Sequence, residues 1–220
     1  MHDPHTWPLE RNQLLVLGVL HLTEFCQVNN IPVPLITTRA SAEWPFAVCA
    51  YYRHDGYTGK RRRIFREPED STSSEDGINI CLEKCANPAS ITVSRNWSWP
   101  GSVIGREPFG VLCHELGHHC DWLTGEKKWA YGSEYSTQVM DASGEKKLTN
   151  YCDNPAEWFA EMFRLFVSNH ALLKELRPRT HALLCEKWQP ISLPDWRAQL
   201  GANVPDRIVQ SLLNKINPKR

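Results

Sequence analysis

The chain has 220 residues, 41% hydrophobic and 23% charged, enough for one sizeable core and in keeping with a soluble globular protein. Lys+Arg and Asp+Glu both number 25, so no global charge directs the protein to nucleic acid or to an anionic membrane. No apolar run is long enough to cross a bilayer.

"PLERNQLLVLGVLHLTEFCQVNN" reads as an N-terminal helix of about five to six turns, stopped by Asn29, Asn30 and Pro32. Its core "LLVLGVL" has no basic segment before it and no small-residue cleavage site after it, so it is read as a buried helix face rather than a signal peptide. Cytoplasmic residence is expected, with delivery as an effector left open. The eight cysteines are then expected as reduced thiols. Cys81 and Cys85 in "CLEKC" lack the second Cys or His pair of a structural zinc site.

Short runs rich in β-branched and aromatic residues follow: "VPLITT", "FAVCAYY", "RRIF" and "INICL". The basic run Lys60 to Arg66 precedes an acidic, serine-rich stretch, Glu67 to Gly77, which reads as a loop. "ASITVSRNW" is a further expected strand. From Pro108 the period becomes helical. "PFGVLCHELGHHCDWL" forms one helix with Pro108 in its first turn, and "GEKKWAYGSEYSTQVMDASGEKK" reads as a polar connector. "NPAEWFAEMFRLFVSNH" forms a second strong helix with Asn154 as N-cap and Pro155 first inside. Shorter helices are expected at 171–176, 180–187 and 205–217. The order indicates an α+β fold in a single domain spanning 1–220, with helix and sheet in 1–105 and a helical half in 106–220.

His114, Glu115 and His118 spell H-E-x-x-H in an otherwise apolar helix. Residues four apart on a helix stand about 40° apart around its axis, so both imidazoles can reach one zinc ion. Glu115 lies beside the metal rather than on it, placed to take a proton from a water that the metal polarises. His119 is turned about 100° from His118 and is expected as a supporting or surface histidine, not a ligand. Cys113 and Cys120 point elsewhere and read as core thiols. Gly117 suits a close approach by another segment.

A catalytic zinc site needs a third protein ligand. The metzincin pattern fails, because Asp121 and Thr124 stand where its glycine and third histidine belong. The helix "NPAEWFAEMF" offers Glu157 and Glu161 four apart on one face, and two carboxylates on so apolar a helix call for a counter-charge, a metal or an arginine such as Arg164.

H-E-x-x-H followed by N-x-A-E-x-F-A-E resembles the gluzincin metallopeptidases, and is most similar to the catalytic domain of anthrax lethal factor-like peptidases. The resemblance spans Val111 to Leu165. It implies a zincin-like domain with one Zn2+ per chain, Glu157 as third ligand, and Glu161 as an outer carboxylate orienting a ligand histidine. It also implies an oxyanion-stabilising tyrosine before the second helix: Tyr151, one residue nearer the glutamate than the family pattern, with Tyr131 and Tyr135 as alternatives. The implied activity is endopeptidase hydrolysis of a protein substrate with Glu115 as general base. The strand around Thr92 and Ser94 is the candidate to hold that substrate extended. Two other classes stand beside this one: a zincin-fold binding protein without turnover, and a nucleic-acid-associated protein using Lys60 to Arg66.

Overall fold

The computed structural model describes residues 6–44, 48–54, 77–85, 108–129, 132–147 and 154–191. The basic run, the loop after it as far as residue 76, the expected strands "RRIF" and "ASITVSRNW", the helix at 205–217, and Thr92, Ser94, Tyr131 and Tyr151 lie outside them, while Gly77, expected to end that loop, opens a strand. The described architecture is α+β and zincin-like: an N-terminal helix, a small mixed sheet, a helix carrying the His-Glu-x-x-His motif, and a helical C-terminal half. No helix among the described residues is long and apolar enough to cross a membrane.

Helix α1 spans Thr6–Val28. Asn30, at φ 53°, takes the left-handed position that ends it, and the Ile31 N–H reaches back to the Cys26 carbonyl at 2.8 Å. Strands β1 (Ile36–Thr38), β2 (Ala50–Arg53) and β3 (Gly77–Ile80) form a sheet of order β1-β3-β2, β3 pairing parallel with β1 and antiparallel with β2. β3 is buried on both faces, whereas β2 lies at an edge of the described sheet.

Helix α2 (Pro108–Thr124) runs through the interior, with every residue from Pro108 to Trp122 buried. Two glycines set its crossings. A Cβ on Gly18 of α1 would fall 2.7 Å from the Leu112 side chain, and one on Gly117 would fall 2.8 Å from the Ala160 Cα. The second contact positions the site, because His114 and His118 flank Gly117 by the same offsets as Glu157 and Glu161 flank Ala160. Packing glycine on alanine therefore brings two imidazoles opposite two carboxylates.

The segment read from sequence as a polar connector contains more structure than that. β4 (Lys128–Trp129) and β5 (Gly132–Ser133) pair antiparallel and lead into helix α3, Glu134–Ser143. Ser133 caps α3 by accepting from the Tyr135 N–H, and Gly144 at φ 58° closes it. Asp121, fully buried on α2, anchors this unit: its carboxylate accepts from Ser133 N (2.7 Å), Ser133 Oγ (2.6 Å) and Ser136 N (2.8 Å). Burial pushes the Asp121 pKa up, and these donors oppose the shift.

Helix α4 (Pro155–Leu176) starts at the expected Asn154 cap, whose side chain accepts from Glu157 N at 3.0 Å. It breaks at Asn169, which is non-helical (φ −159°, ψ 74°) and caps the second half through Leu172 N. The break leaves the Val167 carbonyl to accept from His21 Nε2 of α1 at 2.8 Å. Helix α5 (Pro178–Lys187) follows, its first turn capped by Glu145, which accepts from Arg179 N, Thr180 N and Thr180 Oγ1.

Candidate metal centre

Ligand atoms of His114, His118 and Glu157 all lie within 4.8 Å of one another, forming the only convergent group of three His, Cys, Asp or Glu among the described residues. Glu157 Oε2 stands 3.1 Å from His114 Nε2 and 3.6 Å from His118 Nε2. The two rings are 5.0 Å apart and nearly perpendicular, edge to face rather than stacked. Two imidazole nitrogens and a carboxylate oxygen form a donor set with the geometry of a mononuclear zinc site.

Behind the centre, Glu161 Oε1 accepts from His114 Nδ1 at 2.8 Å. This carboxylate is also gripped by Arg164, which donates through Nε at 3.1 Å and a terminal nitrogen at 2.9 Å. The two partners considered for these glutamates, histidine and arginine, thus meet on one carboxylate. Glu161 and Arg164 are 3% and 1% exposed, so the pair is fully withdrawn from water. Burial would raise the Glu161 pKa, but Arg164 and His114 dominate and hold it at about 2.

The chemistry around the donor set suits a metal. With its Nδ1–H committed to Glu161, His114 presents the Nε2 lone pair to the centre, the tautomer a metal requires. In the metal-free protein both nitrogens of that ring face carboxylate oxygens, which only accept, so the ring holds a proton on each. Burial lowers the His114 pKa, but hydrogen bonds to Glu157 and Glu161 outweigh it and raise the pKa well above 6.5. Glu157 is correspondingly depressed: burial acts upward, and the two histidines prevail. Behind His118, Nδ1 has no hydrogen-bond partner among the described residues.

Glu115 is 6% exposed and outside the convergent group. Burial pushes its pKa up, His114 and His118 pull it down, Glu157 pushes it further up, and the backbone N–H of Tyr52 donates to it and favours the charged form.

The other described residues singled out in the sequence lie outside the convergent group. His119 is neither at the surface nor turned to the metal ligands: its Nε2 bonds the Pro32 carbonyl at 2.8 Å and its Nδ1 the Tyr52 hydroxyl at 3.0 Å. Tyr135 packs its ring against Phe159 and Trp188, and burial pushes its pKa up to about 12. Phe159 lies about 200° round α4 from Glu157, so Tyr135 serves the core on the far side of that helix. Cys113 and Cys120 are buried thiols. Cys81 and Cys85 join no convergent group of ligands, and the Cys85 thiol donates to the Cys81 carbonyl at 3.5 Å. Tyr52 carried no signal in the sequence, and Asp121 entered there only as a departure from the metzincin pattern, not as the anchor of α3.

Compared with protein-family models, curated proteins and solved structures, the chain matches none. The likeness to lethal factor-like catalytic domains therefore rests on the sequence motif alone. The H-E-x-x-H arrangement with a distal glutamate rests on the motif and on the geometry together.

Proposed function

We propose that the protein is a zinc-dependent endopeptidase with Glu115 as general base. The observation that carries this reading is the convergence of His114, His118 and Glu157 beside a buried, unliganded carboxylate one residue along the same helix. His114, His118 and Glu157 would hold the ion, and Glu161 would keep the His114 ring in its ligating tautomer. When bound, zinc supplies Lewis acidity that activates water and polarises the scissile carbonyl. Glu115 accepts the proton of the attacking water and passes it to the departing amine, a role suited to a carboxylate whose proton affinity is raised by burial. Tyr151, three residues before the Asn154 cap, is the candidate hydrogen-bond donor to the developing oxyanion.

Metal analysis of the purified protein after zinc reconstitution should find about one zinc per chain. The same preparation, incubated with a proteome-derived peptide library, should cleave a definable set of bonds, stop on chelation and resume on adding zinc. A protein that binds no zinc would sink the proposal. One that binds zinc and cleaves nothing would establish the alternative, a binding protein without turnover.

The segment 90–97 supplies the expected substrate-aligning strand by composition. Proline at Thr92 or Ser94 would remove a main-chain donor there and should raise KM for a cleaved peptide. An unchanged KM for both variants would remove this segment from the substrate site.

A further inference from the structure

β2 presents Tyr52 to α2 at both ends of the residue. In the sheet, Cys81 N donates to the Cys49 carbonyl, while Ile78 N donates to the Leu35 carbonyl and the Ile80 carbonyl accepts from Arg39 N, the two residues that flank β1. In an antiparallel ladder the hydrogen-bonded pairs alternate, so 49 and 51 bond toward β3 and 52 bonds away from it. The Tyr52 N–H therefore leaves the sheet at its edge, and the carboxylate of Glu115 accepts it. Four residues later on the same face of α2, His119 takes the other end of Tyr52. The Pro32 carbonyl can only accept, so His119 Nε2 carries the proton, and Nδ1 is left to accept from the Tyr52 hydroxyl. The two rings meet edge to face, 5.3 Å apart.

We infer that Tyr52 and His119 form a positioning pair for Glu115: His119 fixes the Tyr52 phenol, and the Tyr52 main chain then holds the general base in line with the metal ligands. This rests on the hydrolase reading for its kinetic consequence, but the clamp itself is a separate, physical claim. Glu115 is a side chain with three rotatable bonds, and a base must stay within hydrogen-bond reach of the proton it abstracts. The N–H donor limits the carboxylate's orientation, and the histidine limits the strand that carries the donor. Neither Tyr52 nor His119 is proposed to touch substrate.

The full chain, loaded with zinc, would be compared as wild type, Tyr52→Phe, His119→Leu and His119→Asn. Asparagine keeps an acceptor near the Nδ1 position and loses the reach to Pro32. Zinc content and KM should be unchanged in all four. The kcat should fall about tenfold or more in Tyr52→Phe and His119→Leu, and His119→Asn should recover part of the loss. Hydrogen exchange gives a readout independent of turnover. The Tyr52 amide should exchange about tenfold faster in His119→Leu, while the Asn79 amide, inside the ladder, should not change. Unchanged Tyr52 exchange would overturn the clamp. Faster exchange with wild-type kcat, or a kcat that falls only in step with zinc content, would overturn the positioning role. If the wild type itself cleaves nothing, the hydrolase reading has failed, and the exchange measurement still decides the clamp.

Discussion

Glu115→Gln is expected to lower kcat by about 10²–10⁴-fold, the usual contribution of a positioned general base, with zinc content unchanged at about one per chain. Glutamine keeps the length of the side chain, and its carbonyl can still accept the Tyr52 N–H, but it cannot take up a proton. Glu115 lies outside the convergent ligands, so the metal should be held as before. The same substitution should raise the melting temperature. Burial shifts the Glu115 pKa up, which means that its ionised form is worse off folded than unfolded. A neutral isostere relieves that cost, so activity and stability move in opposite directions. Residual turnover near wild type would assign the proton transfer to another group. Loss of zinc with the activity would move Glu115 into the ligand set.

Chelation should expose a second large effect, a dependence of stability on pH that zinc suppresses. In the metal-free protein the His114 pKa is raised above 6.5: burial acts downward, and the bonds to Glu157 and Glu161 prevail. Stability gained from that imidazolium is fully present below about pH 6.5 and is lost as pH rises through the raised value. Glu157 and Glu161 are depressed from 4.5, burial acting upward and the histidines and Arg164 downward, so their contribution is present above about pH 4.5 and is lost on acidification. The metal-free protein should therefore be most stable in weakly acidic solution and fall away on the alkaline side. Zinc replaces the His114 proton and should flatten the alkaline side. At a thousandfold excess of zinc over Kd the stabilisation is about 4 kcal/mol. At about 2–4 °C per kcal/mol for a chain of this size, that is a rise of about 8–16 °C. Calorimetry from pH 5 to 9 with and without zinc checks both parts. A metal-free melting temperature that holds or rises between pH 7 and 9 would contradict the pairing at His114.

What could be read from the sequence was local. H-E-x-x-H and the two glutamates four apart depend only on helical periodicity, and Asn154-Pro155 announces the start of α4 by cap chemistry. Gly117 likewise signalled a close crossing. Helix α3 escaped because it is short and polar, although its Ser133 and Gly144 caps were legible. The partners of His119 could not be read at all: Tyr52 is 67 residues away and Pro32 is 87, and no spacing rule connects them. The break in α4 at Asn169 is similar, since the carbonyl freed there is taken by His21, 146 residues distant from it. Short-range patterns identify which side chains can do chemistry, whereas the contacts that hold them still are products of tertiary packing.

The grip of Arg164 on Glu161 also bears on which cation the centre suits. Glu115, Glu157 and Glu161 bring three carboxylates to the site, and among the described residues Arg164 brings one guanidinium. With all three ionised, two negative charges remain uncompensated in a region where Glu115 and Glu161 are buried and Glu157 is partly so. A monovalent ion would leave one of them, and a divalent ion leaves none. Without the cation, the proton that the His114 ring holds in excess of its neutral form offsets part of that charge. Loading the centre with a divalent cation thus displaces the His114 proton, and a centre built this way couples its metal occupancy to the acidity of its surroundings.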